Sequence, residues 1–539
     1  MRAAVRVLNP IETEQRPIAN ARGVSIVSIV RGSKRGERVP ELPIGGVTLQ
    51  STQGDAAVLL PRIGVPGSLR SARTRAALMR PIYGPLALGV LVAATVLVVV
   101  VASAAPTMLV GSSHFVFPNW ISGPLHGLFG SLLQRPNGTA AVSPQVIGWG
   151  ISGVFALMFA AYGVALASAR TLSMRAIAIT VAALYAFLVL SPPLGLTDVF
   201  NYLGYARLGA LHGLNPYTHI IRDEYYDPVY MLVSWRHYPS PYGQLFTLFT
   251  YPLGWMSLPG ALWVLKVGLV ALFGVFVALV GKCARQLGYD PRFAVLFVAL
   301  NPVILIWDVG GFHNDPLMLV PMMAAISLVI ARRYRWAGAA LAVAVAVKVT
   351  IVLLLPFLML AAYRHRRSLQ VLVGFVLGAI PLTAVSVAAF GFSMPNVTDQ
   401  SRIVTPLSVV NLAGVLLHLG GASPLMEDGS KLLLVLVVAG LLAIAVRRGR
   451  PDWLTGAGWA TLALLVCTSW LMPWYIVWAL PLVALSTSPW LRRAMLALSV
   501  FAAFTFLPVT TNVLWYLHVN VMRSTPDRIA NAYLRSVQH

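Results

Sequence analysis

The stretch Leu196-Thr197-Asp198-Val199-Phe200-Asn201-Tyr202-Leu203-Gly204-Tyr205-Ala206-Arg207, continued by His212 and Asn215-Pro216-Tyr217, follows an apolar run that ends at Ser191-Pro192-Pro193. That position predicts a helix starting just outside a membrane span, with Asp198, Tyr202 and Tyr205 at i, i+4 and i+7 on one face. A carboxylate backed by two tyrosines at a membrane surface suits a base acting on a hydroxyl-rich substrate. A helix-capping aspartate among interfacial aromatics fits the same residues. The remainder of the chain has to separate the two.

Working outward, the chain is 58% hydrophobic and only 11% charged, with a mean hydropathy of +0.76. Soluble domains carry about 25% charged residues, so the composition predicts an all-α polytopic membrane protein. Cys283 and Cys467 lie far apart and beside apolar spans, which offers neither a disulfide framework nor a metal site. The net charge of +23 is spread over the N-terminal segment and the short loops between spans, as orientation signals are. No nucleic-acid partner is expected from it.

Residues 1–80 are polar, rich in Gly, Pro and Arg, and without period, which predicts a disordered basic cytoplasmic tail with no signal peptide. Arg70, Arg73, Arg75 and Arg80 then hold the N-terminus inside. By length and flanking charge, spans are expected at about 83–103, 146–168, 175–193, 260–281, 293–307, 316–331, 370–390, 431–447, 454–472, 473–487 and 494–516. Between Arg335 and Arg364, both inside, there is room for a hairpin of two short helices with Lys348 near its tip. The run 242–258 reads as an interfacial or re-entrant helix. The sum is a bundle of about thirteen transmembrane helices spanning 81–520, followed by an extracytoplasmic tail over 521–539.

Of 17 acidic residues, five fall in the tail and Asp290 and Asp452 in inside loops. The rest, including Asp198, Asp223, Glu224, Asp227, Asp308, Asp315, Asp399, Glu427, Asp428 and Asp527, lie outside on this topology. The outer loops are also the long ones, which marks the extracytoplasmic side as the functional face. Besides the Asp198 helix, three groups of residues can carry chemistry there. Trp235-Arg236-His237-Tyr238-Pro239-Ser240-Pro241-Tyr242-Gly243 offers rings for sugar stacking, or an aromatic belt with a rigid turn. Asp308 to Asp315 places His313, Asn314 and Asp315 in a tight turn, where helix capping is the alternative. Lys348, alone in Ala-Val-Ala-Val-Lys-Val-Thr, is the only charge expected deep in the bundle; its partner is a lipid phosphate or an outer carboxylate. Arg402 is a weaker phosphate candidate, or a solvated loop arginine. Trp474-Tyr475-Ile476-Val477-Trp478 reads as an interfacial anchor. Walker, G-x-G-x-x-G, H-E-x-x-H and serine-elbow motifs are absent.

Asp198-Val-Phe-Asn-Tyr-Leu-Gly-Tyr-Ala-Arg with Gly213-Leu-Asn-Pro-Tyr217, Ser240-Pro-Tyr-Gly243, Gly311-Phe-His-Asn-Asp-Pro316, Ala346-Val-Lys-Val-Thr350 and Pro473-Trp-Tyr-Ile-Val-Trp478 resemble the GT-C membrane glycosyltransferases. The nearest subgroup is the actinobacterial polyprenyl-phosphate-mannose-dependent α-1,6-mannosyltransferases of lipomannan-type envelope glycans. The resemblance covers roughly 80–520. It implies a polyprenyl-phosphate-mannose donor, a lipid-anchored mannan acceptor, membrane lipids as surroundings, inverting transfer at the plasma membrane, and an essential aspartate matched here by Asp198. That aspartate usually lies in the first outer loop, whereas here the loop 104–145 holds no acid. Either an extra pair of spans precedes the usual core, or the span count near the start differs from this reading.

On that resemblance Asp198 is the base and Lys348 the first choice for the leaving phosphate, with His313 and Arg402 behind it. Tyr202, Tyr205, Tyr238, Tyr242 and Asn314 line the sugar sites, and Asp315 is the reserve base or orients His313. No metal or other cofactor is expected beyond the lipid-linked donor. The same architecture also fits another lipid-linked sugar such as arabinofuranose. A lipid-linked sugar flippase or transporter should instead carry polar groups on broken helices at the midplane. A scaffolding protein leaves the His313 turn and Lys348 without a reason.

Overall fold

A computed structural model describes residues 81–104, 109, 119–129, 131–133, 141–195, 198–396, 403–447 and 452–521, with 528–529, 532–533 and 535–536. The tail expected over 1–80, Arg402 and most of the C-terminal tail lie outside these described residues. The described residues form helices and, among them, no β-strand. In chain order the helices are α1 Tyr83–Ala104, α2 Asn119–Phe129, α3 Pro144–Ala167, α4 Met174–Leu190, α5 Asp198–Ala210, α6 Gln244–Gly254, α7 Leu258–Gln286, α8 Pro291–Ala299 and α9 Asp315–Ile330. They continue with α10 Tyr334–Val347, α11 Leu355–Tyr363, α12 Ser368–Phe390, α13 Val409–Leu416, α14 Pro424–Arg447, α15 Trp453–Cys467, α16 Leu480–Ala484, α17 Pro489–Thr505 and α18 Pro508–Tyr516.

Local sequence starts many of them. Ser143, Ser257 and Ser488 each accept a backbone N–H through the side-chain oxygen, and each is followed by proline in the first turn. Asp290 does the same ahead of Pro291. This is the pairing of cap and preset φ that opens helices.

Among the described residues five helices, α1, α3, α7, α12 and α14, are long and apolar enough to cross a bilayer, which takes about 20 residues. Shorter apolar helices of 10–17 residues stand among them, including α4, α9, α10 and α15. The protein is therefore an all-α, multi-pass membrane protein. α14 buries no residue at all, and Leu432, Leu433, Val435 and Leu436 face outward. Such a surface suits acyl chains and not water.

Three expected spans take a different form. The run 494–516 is broken into α17 and α18, bent by 87° at a short break ending in Pro508, where a residue ahead of proline avoids the helical region. The run 293–307 ends as helix at Ala299 and resumes after Pro302 as a π-helical turn, Ile304–Val309. The run 473–487 is a 3-10 turn, Pro473–Trp478, and the five-residue α16, both buried. The break at Lys348 is present: α10 stops at Val347, Lys348 is extended, and a 3-10 turn Val349–Leu354 leads into α11.

The core centres on α8, the π-turn and α9, where 294–309 is almost wholly buried. α5 and α6 pack on each other at close range: a Cβ on Gly254 would lie 2.8 Å from the Ala206 carbonyl. Gly243 seats the start of α6 on the carbonyls of Ala346 and Val347, since a Cβ there would lie 2.3 Å from the latter. Those two contacts bring the Asp198 helix and the Lys348 break to one place.

Candidate active site

Asp198 is the first residue of α5, where the helix N-terminus favours a negative side chain. The helix is not a surface helix. Val199 through Ala206 are all buried, so the carboxylate stands at the end of an element held in protein on every side. Asp198 Oδ1 accepts from Asn201 Nδ2 at 3.3 Å. Asn201, fully buried, also clasps the loop opposite: its Oδ1 accepts from the backbone N–H groups of Ser234 (2.9 Å) and Trp235 (3.2 Å). The sequence reading passed over Asn201, one turn from Asp198.

The second wall is the turn 308–315. Gly311 has no Cβ to strike the Trp307 carbonyl, which would lie 2.1 Å away. Phe312 takes a positive φ of 55°, rare for an aromatic residue. That geometry returns His313 to Trp307, whose carbonyl accepts from Nδ1 at 2.6 Å. Nδ1 therefore carries the proton of that bond, and Nε2 is the ring nitrogen turned toward the site. It faces Asp198 Oδ2 at 3.6 Å and, although buried, has no hydrogen-bond partner. The imidazole stacks on Trp474, with centroids 3.8 Å apart.

The third wall is a buried ion pair. Lys348 Nζ donates to Asp315 Oδ1 at 2.7 Å, and Trp478 Nε1 donates to the same oxygen at 2.6 Å. The ammonium also lies over the Trp478 ring at 4.9 Å. Of the two partners expected for Lys348, the carboxylate is therefore the one in contact. Its side chain remains 21% exposed while that of Asp315 is 0% exposed. Asp308 is fully buried, with neither oxygen hydrogen-bonded. The run 474–478 is thus not an interfacial anchor: Trp474 and Trp478 are buried and touch His313 and Asp315.

The tyrosines divide. The Tyr202 hydroxyl accepts from the backbone N–H of Asn314 at 3.3 Å, linking α5 to the turn, and its ring meets Tyr242 edge-on at 4.8 Å. Tyr205 donates to the Tyr238 carbonyl at 2.6 Å, and Tyr238 donates to the Asn396 carbonyl at 3.1 Å. Tyr205 and Tyr238, both buried, build the wall behind Tyr242, which is part-exposed. No group of three or more His, Cys, Asp or Glu side chains converges as a metal site among the described residues.

The far end of α5 is fixed by charge. Arg207 Nε donates to both oxygens of Asp227 at 2.9 Å, and His212 Nε2 lies 2.8 Å from Asp227 Oδ2. Burial alone would raise the Asp227 carboxyl, but hydrogen bonds from Arg207, His212 and the Val229 N–H, with the Arg207 charge, hold it below the usual carboxylate range. A depressed folded value contributes stability that is present above the unfolded carboxylate range and lost as pH falls through the folded one. Asp227→Asn is expected to lower unfolding free energy by about 2 kcal/mol at neutral pH. The gap to the unmodified protein should close only below about pH 4. Thermal unfolding in detergent across that range checks it; a gap independent of acid would rule out the ion pair as its source.

The family model described as "Alpha-(1->6)-mannopyranosyltransferase, N-terminal domain" matches residues 95–364, and that described as "MptB C-terminal domain" matches 404–524. Alpha-(1->6)-mannopyranosyltransferase A of Mycobacterium tuberculosis is 26% identical over 397 residues, covering 67% of this chain and 74% of that protein. Its namesake of Corynebacterium glutamicum is 25% identical over 366 residues, covering 59% and 73%. A probable alpha-(1->6)-mannopyranosyltransferase of Mycolicibacterium smegmatis is 27% identical over 370 residues, covering 58% and 66%. No solved structure matches the chain significantly. All the elements that build the three walls of the Asp198 site fall inside the two matched regions, and the chain belongs to the alpha-(1->6)-mannopyranosyltransferase family of membrane glycosyltransferases.

Proposed function

We propose that this chain transfers a mannosyl residue from polyprenyl-phosphate-mannose to a lipid-anchored mannan, forming an α-1,6 linkage with inversion on the extracytoplasmic face of the plasma membrane. Residues 81–520 form the catalytic domain on this reading. The observation that carries it is the Asp198 carboxylate, 17% exposed and facing the buried, unpartnered Nε2 of His313. Asp308 and Asp315 beside it are 0% exposed.

Asp198 removes the proton from the acceptor hydroxyl as its oxygen attacks the anomeric carbon. The bond from that carbon to the phosphate oxygen breaks on the opposite face, so inversion to an α product requires a β-linked donor. The departing phosphate gains charge, which the remaining donors of Lys348 take up, with His313 as the second candidate for that role. Arg402 is a further candidate for that role. Tyr202 and Tyr242 bound the sugar on the Asp198 side, and Asn314 is held by Tyr202. Asp315 holds Lys348 and is not the base, being wholly buried and ion-paired.

The test is to incubate membranes containing this chain with radiolabelled polyprenyl-phosphate-mannose and a short mannoside. The expected product is the mannoside extended by one α-1,6-linked residue. No product with this donor, alongside product from a lipid-linked pentose, would reassign the sugar. Movement of the intact donor across sealed vesicles without product would reassign the chain to transport.

A further inference from the structure

Lys266 lies in the third turn of α7, 1% exposed, and is a second buried cation in addition to Lys348. The expectation of a single one is corrected here. Its ammonium donates to the Ser191 carbonyl at 2.8 Å and sits over the rings of Trp263 (4.5 Å) and Phe312 (4.8 Å). Among the described residues no carboxylate forms an ion pair with it. A lysine that merely filled space would reach an interface with its charge. A charge kept inside a span is costly, and such residues mark function.

The two segments it touches are the ones that carry the site. Ser191 opens the stretch 191–195 that leads into Asp198, and Phe312 directly precedes His313. These segments also lie against each other: the Leu194 N–H donates to the Gly310 carbonyl at 2.8 Å. A Cβ on Gly195 would lie 3.2 Å from the Trp307 ring. Phe312 holds its positive φ with no exposure to solvent, a conformation that persists where the surroundings enforce it.

We propose that Lys266 is a positioning residue for sugar transfer: its ammonium clamps the 191–195 segment to the Phe312 turn and so sets the separation of Asp198 from His313. The inference rests on the reading that these two side chains act in the transfer. Lys266 touches neither of them, and its effect reaches the reaction through geometry, where displacements near 1 Å cost about a hundredfold in rate.

The test compares Lys266→Met, Phe312→Leu and Asp198→Asn in isolated membranes, with radiolabelled polyprenyl-phosphate-mannose as donor and a short mannoside as acceptor. Lys266→Met is expected to accumulate and to lose about 30- to 100-fold in kcat, with KM for the donor within about twofold. Phe312→Leu, which keeps the lysine and removes one ring face, should lose kcat in the same way by about tenfold. A kcat unchanged in Lys266→Met while Asp198→Asn is inactive overturns the Lys266 inference alone. A raised KM with kcat unchanged also overturns it, since the lysine then contributes to donor binding. If Lys266→Met does not accumulate, Phe312→Leu decides, and an unchanged kcat overturns the proposal. Full transfer by Asp198→Asn overturns the base assignment and this inference with it.

Discussion

Asp198→Asn is expected to reduce sugar transfer by about a thousandfold or more, because a positioned general base contributes roughly 10²–10⁴. The substitution keeps size and leaves an oxygen to accept from Asn201. The contacts it disturbs stand at 3.3 Å and 3.6 Å, so the stability cost should stay within about 1 kcal/mol. Neither acidic residue of the 308–315 turn is placed to substitute for it: Asp315 is ion-paired to Lys348, and Asp308 is fully buried. The measurement is transfer from radiolabelled donor in isolated membranes, normalised to the amount of inserted protein. Loss of transfer with normal accumulation is the expected pair of results. Normal transfer removes Asp198 as the base, and loss of both indicates a folding defect in place of a chemical one. Asp198→Glu adds a further contrast, since it restores the carboxylate but moves it by one methylene. Partial activity there separates charge from position.

Much of this architecture was legible in the sequence because the signals are local. Apolar length and basic flanks located α1, α3 and α7, and an even number of crossings between Arg335 and Arg364 required the break that the structure has at Lys348. The helical period put Asp198 and Tyr202 on one face, and the density of polar groups in 313–315 singled out the turn. What escaped depends on packing. Trp474 and Trp478 have the composition of an interfacial anchor, yet they are buried, and only the tertiary fold brings them to His313 and Asp315. Lys266 escaped because one lysine in a long apolar helix reads as a snorkelling side chain; its partners, Ser191 and Phe312, are distant in sequence. The bend between α17 and α18 escaped because their summed length and hydropathy match a single span. Pro508 was the available signal.

Lys348→Met is expected to be the most destabilising single change in the site. It leaves the Asp315 carboxylate wholly buried with only the Trp478 indole N–H as donor. Stranding one member of a buried pair costs about 3–5 kcal/mol. Asp315→Asn should cost less, because the Lys348 side chain is 21% exposed and part of its ammonium can be solvated, while the amide still accepts from Trp478. The double variant removes both charges and should recover much of the loss, giving a coupling that single changes do not show. Thermal unfolding in detergent reads this asymmetry; equal losses in the two single variants and simple additivity in the double would count against a buried ion pair. Transfer activity then separates structure from chemistry. If Lys348 only neutralises Asp315, the double variant regains activity along with stability. If its ammonium also takes up charge on the departing phosphate, as proposed, the double variant folds and remains deficient in transfer. Such a deficit belongs to the transition state, so it should appear in kcat more than in KM for the donor. Lys348→Arg, which keeps the charge but spreads it over a planar group, should stay nearer to the unmodified protein in stability than in rate.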